Sequence, residues 1–425
     1  MADGSELPDG NAAAAPSVRR GALAPFRYRA FREVWLGNTA SQLGSQMQSI
    51  GAAWLMTELT TSHAMVAAVP ASGAFAVLLL SVPAGAVADN FDRRKIMLAA
   101  QSAMLVVSAI LAVLTWAGKI GAFGLLAFTM MVGCGMAFSL PSWTASVRAL
   151  AEPPVMPQAI ALNSVSFNLG RSVGPALGGL VLAAGGVATA FALNALSYVA
   201  LILALSRWRP NLPAPRREPL LRSIRAGLAF CRTSVPVRRV LIRGAAFSFS
   251  ATAIQGLLPV ILRGRLGGNE TQFGVLLGAF GVGSVLGAVL SPPVRRRFGS
   301  EWAMMLGAAG STIGLLGLAL APSVPMLLAC QFAGGIGWTG CLTTFNVAMQ
   351  LRVPAEILGR CMAIYQAVTI GSLAVGAWTW GLLADATSAT AAVFVATVTL
   401  VAGTLVLRAL SPLPARGEGV VLDRG

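Results

Sequence analysis

A soluble chain of 425 residues would form two or three domains of about 150 residues each. The composition excludes that: 56% of the residues are apolar, 11% are charged and the mean hydropathy is +0.74, against about 25% charged in an ordinary soluble protein. The net charge of +16 comes from 31 basic against 15 acidic residues, and every basic residue except Lys95 and Lys119 is arginine. These residues fall in short segments between long apolar runs, which reads as positive loops retained in the cytoplasm and not as a nucleic-acid surface. Disorder, collagen and a disulfide scaffold are excluded as well. Of the five cysteines, Cys134, Cys330, Cys341 and Cys361 lie in or at the ends of apolar stretches and read as small hydrophobes, with no disulfide or metal framework.

Taken in chain order, residues 1–30 are polar and rich in Ala and Pro, the pattern of a disordered cytoplasmic tail. The pair Arg19-Arg20 is not followed by an adequate apolar stretch with a cleavage site, so no export signal is expected to be removed. Twelve stretches then approach the roughly 20 apolar residues that a helix needs to cross a bilayer: 34–57, 64–88, 95–117, 122–147, 157–184, 188–206, 240–262, 271–294, 301–320, 324–351, 361–384 and 390–410. The first is the least apolar, and hydropathy alone would miss it. With both termini inside, 26 of the 31 basic residues are cytoplasmic, Lys119, Arg263 and Arg265 fall in outer loops, and Arg171 and Arg243 lie within spans. That bias is the signature of the orientation.

The longest loop, 207–239, starts Pro- and Arg-rich and continues into LLRSIRAGLAFCR, an amphipathic stretch suited to the membrane surface. It separates one six-helix unit, 31–206, from a second, 240–410, which is followed by a cytoplasmic tail, 411–425. The halves repeat: GAVADNFDRRK from Gly85 aligns with GAVLSPPVRRR from Gly287, and Pro153 after the fourth span aligns with Pro354 after the tenth. The expected fold class is therefore an all-α polytopic membrane protein of twelve transmembrane helices in two pseudo-symmetric six-helix bundles.

Two related six-helix halves joined by a cytoplasmic loop resemble the major facilitator superfamily, in which the substrate site lies between the halves. The run Gly85-Ala-Val-Ala-Asp89-Asn-Phe-Asp-Arg93-Arg94-Lys95 resembles that superfamily's signature between the second and third helices. Gly170, Gly174, Pro175, Gly178 and Gly179 match GxxxGPxxGG, the fifth-helix signature associated with its antiporters. With FREVWLGNTASQLGSQ, LNSVSFNLGRSVGPALGG and the Val353-Pro354 to Gly359-Arg360 run, the chain resembles the exporter branch that contains enterobactin and macrolide efflux proteins, from about Arg27 to Leu410. The resemblance implies alternating access in a cell membrane, export of a small amphiphilic molecule, protons as the coupling ion and a monomer. It implies no cofactor, metal or nucleic-acid partner.

The residues give these signatures physical content. Gly85, Asp89, Arg93 and Arg94 sit where the second span leaves the membrane. They form either a solvated positive turn or, as family precedent implies, a cytoplasmic latch in which a carboxylate pairs with Arg or a helix N-terminus in one of two conformations. In the second half Ser291 stands where the first has Asp89. Gly170, Gly174 and Gly178 share one helix face and allow another helix to approach closely, and Pro175 deprives the Arg171 carbonyl of its intrahelical N–H and favours a bend. Asn38, Gln42 and Gln46 make a polar stripe on the first span, with Ser41, Ser45 and Ser49 beside it. Such a stripe faces either a cavity or another helix, because lipid offers no partner. Gln255, Asn346, Tyr365 and Gln366, with Gln350, are candidates for the opposite wall. Arg171, deep in a span, is either a structural arginine satisfied by freed carbonyls or a cavity residue that attracts an anionic or carbonyl-rich substrate. Trp54, Trp143, Trp338, Trp378 and Trp380 read as interfacial anchors or packing.

Enzyme chemistry is thin. His63, the single histidine, falls near an outer loop and reads as solvated, and the chain has no phosphate-binding loop, no GxSxG elbow and no HExxH pair. The acids near spans, Glu33, Glu58, Asp89, Glu152, Glu301, Glu356 and Asp385, all fall near span ends, so proton antiport rests on the resemblance. A proton-coupled importer of a small polar solute is the runner-up reading, and a non-transporting membrane sensor is the alternative from a different class.

Overall fold

A computed structural model describes residues 23–150, 152, 155–209, 220–354 and 357–413. The chain before residue 23, the Pro- and Arg-rich stretch 210–219 and the tail after residue 413 lie outside the described residues, as do Gly85 and the side chains of Asp89 and Arg171. Every regular element described is helical, as backbone in lipid requires. A single 3-10 turn precedes α1 (Arg29–Leu59), α2 (His63–Asn90), α3 (Arg93–Trp116), α4 (Ala122–Leu150), α5 (Met156–Arg207), α6 (Leu220–Thr233) and α7 (Val235–Ala251). Then follow α8 (Ala253–Gly256), α9 (Leu258–Leu266), α10 (Glu270–Leu320), α11 (Val324–Gln350), α12 (Leu358–Ala386) and α13 (Ala389–Leu410).

Among the described residues, nine helical stretches are long and apolar enough to cross a bilayer. Two of them, in α5 and α10, fold back on themselves. Gly186 and Gly299 carry φ of 74° and 85° inside these long elements, a left-handed backbone that a side chain would strain, so each element is a hairpin of two limbs. α1 is not among the nine, because its polar stripe depresses its hydropathy, yet it is helical throughout and buried along one side. Together these make the twelve expected crossings. The seventh is broken: α7, α8 and α9 follow one another with interruptions at Thr252 and Leu257. Pro259 cannot supply the N–H that would close the turn on the Gln255 carbonyl.

The linker helix α6 packs on the start of α12, where a Cβ at Gly227 would lie 3.2 Å from Arg360 Cβ. Burial pushes the Cys231 thiol on α6 up to about 12, and Cys330 and Cys341 fill space against Gly317 and Gly307. The thiols act as small hydrophobes.

Packing is governed by bare backbone. α1 lies between the two limbs of α5. One side of it presents Gly37, Gly44 and Gly51, a seven-residue repeat, to Leu201, Asn194 with Ser197, and Phe191 on the second limb. Its other side presents Gln42, Gln46 and Ile50 to Gly170, Gly174 and Gly178 on the first. The second half repeats the device: α11 sits between the limbs of α10, with Gly307, Gly310, Gly314 and Gly317 against Cys341, Gly337, Gly334 and Cys330, and Gly283 and Gly287 against Phe332 and Ile336.

Polar groups at the helix ends are also accounted for. Asp92 caps α3 by accepting from Arg94 N at 2.9 Å. Arg94 donates to the Leu205 and Ser206 carbonyls at 2.7 and 2.8 Å, which completes the end of α5, and Arg265 does the same for the Ala319 and Ala321 carbonyls at the end of α10. Arg243 of α7 is fully buried. It makes a two-pronged pair with Glu301, each N–O distance 2.7 Å, and also donates to the Ser411 carbonyl, while Leu413 N donates to Glu301 at 2.8 Å. The pair thereby clasps the chain beyond α13 to the bundle. Removing one member of such a buried pair costs about 3–5 kcal/mol. Arg243→Ala is therefore expected to lower the thermal midpoint of the purified protein by several degrees, and Arg297→Ala, on an exposed turn, is expected to leave it within a degree, as read by differential scanning fluorimetry.

Candidate translocation site

A cavity of about 480 Å³ lies between the two halves, within the range of small-molecule sites. α1, α2, α4, α5, α8, α10, α11 and α12 contribute to it. α1 supplies a polar comb, Gln42, Ser45, Gln46 and Ser49, at helical spacing. α2 and α4 supply small and aliphatic side chains, and α5 contributes Phe167, Gly170 and Pro175. The opposite wall carries Thr252 and Gln255 at the broken seventh crossing, Phe280 and Ser284 of α10, Trp338 of α11 and the apolar face of α12. One wall is thus rich in amides and hydroxyls, and the other is mainly aromatic and aliphatic. The amides of Gln42, Gln46 and Gln255 have no hydrogen-bond partner among the described residues, which leaves them free to bind a guest.

The glycines of the fifth-helix signature set this polar wall. A Cβ at Gly170 would lie 3.1 Å from Gln42 Cβ, and one at Gly174 would lie 2.6 Å from Gln46 Cβ. The first limb of α5 therefore presses directly on the stems of the two cavity glutamines. A Cβ at Gly178 would lie 3.2 Å from Met47 Cα, while Gly179 turns the other way and touches backbone of Gly274 in the opposite half. Pro175 lines the cavity, and Arg171 lies one turn before it on the helix.

The remaining sequence-expected residues are placed elsewhere. Asn38 is buried in the first half, off the cavity lining. Asn346 accepts from Gln350 along α11. Tyr365 is buried in the second half near Gly244 and Phe345, and Gln366 is exposed outside the lining. Arg93 is half-buried at the start of α3, beside the Asp92 cap. The polar residues of α1 divide between the cavity and the second limb of α5. Gln42 and Gln46 face the cavity. Gln48 accepts from Asn194 at 2.6 Å, Asn194 donates to Tyr198 Oη at 3.0 Å, and Ser45 meets Tyr198 at 3.4 Å, a buried network joining α1 to the second limb of α5.

The end of the cavity away from the chain termini is closed by contacts between the halves. Gly179 meets Gly274, Trp54 packs on Phe273 with ring centroids 5.5 Å apart, and Arg263 donates to Thr57 at 3.0 Å and lies 3.7 Å from Glu58. His63, expected to be solvated, instead lies against Asp385 of the opposite half, its Nδ1 3.2 Å from the carboxylate. Sequence reasoning missed this pair because more than 300 residues separate its members.

Comparison with known proteins agrees with this architecture. The family model described as transmembrane secretion effector matches residues 20–419. The chain belongs to that family, within the major facilitator superfamily. It is a multi-pass membrane transporter and not an enzyme. It is 25% identical over 347 residues to the staphyloferrin A transporter of Staphylococcus aureus, covering 81% of this chain and 86% of that one. It is 27% identical to the multidrug efflux pump Tap of Mycolicibacterium fortuitum, covering 80% and 84%, and 28% identical to the enterobactin exporter EntS of Escherichia coli, covering 69% and 70%. Among solved structures, the nucleoside transporter NupG superposes with a TM-score of 0.68 at 12% identity, covering 90% of this chain and 98% of that one. A bacterial homolog of the lysosomal transporter Spinster, inward-facing, superposes with 0.70 at 14%, covering 92% and 96%. These two show the fold.

The contact of Gly174 with Gln46 can be tested within this transporter. Gly174→Ala must displace α1 or α5, whereas Gly121→Ala enters open space. The first variant is expected to lose about 1–3 kcal/mol, the cost of overpacking, seen as a clear drop in thermal midpoint. The second should melt like the parent.

Proposed function

We propose that this transporter exports a small amphiphilic molecule, a drug, siderophore or other secondary metabolite, by proton antiport across the cell membrane, with both termini in the cytoplasm. The observation that carries this reading is the two-faced cavity. Unpartnered amides of Gln42 and Gln46 stand opposite Phe280 and Trp338, with Gln255 on the aromatic side, so a guest with one hydrogen-bonding edge and one mainly apolar face satisfies both walls, whereas a fully polar solute leaves the aromatic wall bare. Among similar proteins, a multidrug efflux pump and an enterobactin exporter support the direction, and these with a staphyloferrin A transporter support a drug or siderophore as cargo.

Within this reading the six-helix units 31–206 and 240–410 rock about the cavity as a monomer. Asp89 with Arg93 and Arg94, entered through Gly85, forms the cytoplasmic latch. Arg171 sits on the helix between cavity-lining Gly170 and Pro175. Its permanent charge inside a span costs roughly 2.5–3.5 kcal/mol on insertion scales, which is offset when an anionic or carbonyl-rich guest pairs with it. Asn38, Asn346, Tyr365 and Gln366 join the pathway when the halves exchange positions. The excess of basic residues at the terminal end supports the orientation.

The test is accumulation of staphyloferrin A, enterobactin and a panel of hydrophobic drugs in cells that express the protein, compared with empty-vector cells. At least one compound should accumulate less in expressing cells, and a protonophore should abolish the difference. Gln46→Ala should weaken the effect several-fold, and Arg171→Ala should abolish it at normal protein level, with Arg171→Lys restoring part of it because an ammonium lacks the planar fork. Greater accumulation in expressing cells would show import, and unchanged accumulation of every compound would overturn the reading.

A further inference from the structure

The placement of Asp385 is electrostatically wrong for its own helix. It occupies the last turn of α12 (Leu358–Ala386), where the carbonyl end of the helix dipole disfavours a negative charge. Its carboxylate instead reaches across to the other half and covers the start of α2, where unsatisfied N–H groups and the positive dipole end favour an anion. Oδ2 accepts from Ala64 N at 3.0 Å and from Ser62 Oγ at 2.7 Å, Oδ1 accepts from His63 N, and His63 Nδ1 is 3.2 Å away. Ser62, the N-cap of α2, passes the contact on by accepting from Met65 N at 3.3 Å. One turn earlier on α12, a Cβ at Gly381 would lie 2.7 Å from Ala64 Cα, so a bare backbone lets the two helices approach closely enough for the carboxylate to reach.

We propose that Asp385 is a positioning residue of the gate at this end of the cavity: it closes the gate by capping α2 from the opposite half. The inference rests on alternating access, since any movement that opens this end separates α12 from the start of α2 and strips the cap. α2 carries its own N-cap, Ser62, but that hydroxyl serves only Met65 N. The N–H groups of His63 and Ala64 are met from the other half, so they are satisfied by protein only while the end is shut. The neighbouring Arg263–Glu58 pair is half-exposed at both ends and contributes little. Charge-assisted bonds to backbone N–H groups are the stronger kind, so the gate equilibrium depends chiefly on Asp385.

The experiment is hydrogen–deuterium exchange on the full-length protein in lipid nanodiscs, without substrate, so its outcome is independent of whether the protein exports. Asp385→Ala should speed exchange about tenfold or more, both at residues 63–66 and at the other contacts of the same gate, residues 54–59 and 270–280. Residues 94–98 and 301–306, at the terminal end, should stay at the parent rate. Asp385→Asn, isosteric and still offering one acceptor oxygen, should give an intermediate increase at the same segments. Asp92→Ala, which removes an ordinary cap within one half, should speed exchange only around 94–96. Acceleration confined to residues 63–66 in both Asp385 variants would reduce the residue to a local cap and overturn the proposal. Unchanged exchange, or an increase spread equally to the terminal end, would overturn it as well.

Discussion

Helices in a bilayer gain nothing from hiding apolar surface from one another, because lipid is as apolar as a leucine side chain. What holds them is close backbone contact and the need to satisfy polar groups that lipid cannot. This chain meets both demands with glycine. α1 is too polar to be stable against lipid, and it is accommodated because both limbs of α5 meet it along glycine seams. The Gln48–Asn194–Tyr198 network ties α1 to the second limb along one seam. Behind the other, Gly170 and Gly174 hold Gln42 and Gln46 at the cavity wall. The signature glycines of the fifth crossing therefore serve the site twice, by tolerating a tight helix pair and by positioning the amides on its far side.

The same logic distributes the charges. Arginines close helix ends at carbonyls, as Arg94 and Arg265 do, or are buried against a carboxylate, as Arg243 is against Glu301. Ionic contacts within a half fix that half as a rigid body. Ionic contacts between halves, at Asp385 and around Arg263, are partly solvated, and so can be broken and remade. A molecule that rocks about a central cavity needs this division: buried bonds inside the moving bodies and solvent-accessible ones between them.

Much of this was legible in the sequence. Spans, the basic bias and the Gly85/Gly287 repeat announce twelve crossings in two halves, and α1, the least apolar of them, is hidden from hydropathy alone by its polar residues. The hairpins at Gly186 and Gly299 are visible as short connections, though the left-handed backbone that makes them is not. The cavity glutamines of α1 stood out from their spacing, and Gln255 from its apolar surroundings. The long-range pairs did not stand out. Arg243 within a span implied a partner, and in so acid-poor a chain the acids at span ends were few, but nothing in the sequence brings Glu301 beside it or carries Asp385 to the start of α2. Those contacts arise from helix order around the bundle, which local patterning does not encode.

The central claim is that the glycine-seated amides and the aromatic wall form one binding site between the halves. A single-particle structure in a lipid nanodisc, saturated with a compound the cells exclude, tests it most directly. The expected result is ligand density that meets Gln42 and Gln46 on one wall and Phe280, Trp338 and Gln255 on the other. Density on the lipid-facing surface, with the central cavity holding only solvent, would contradict it.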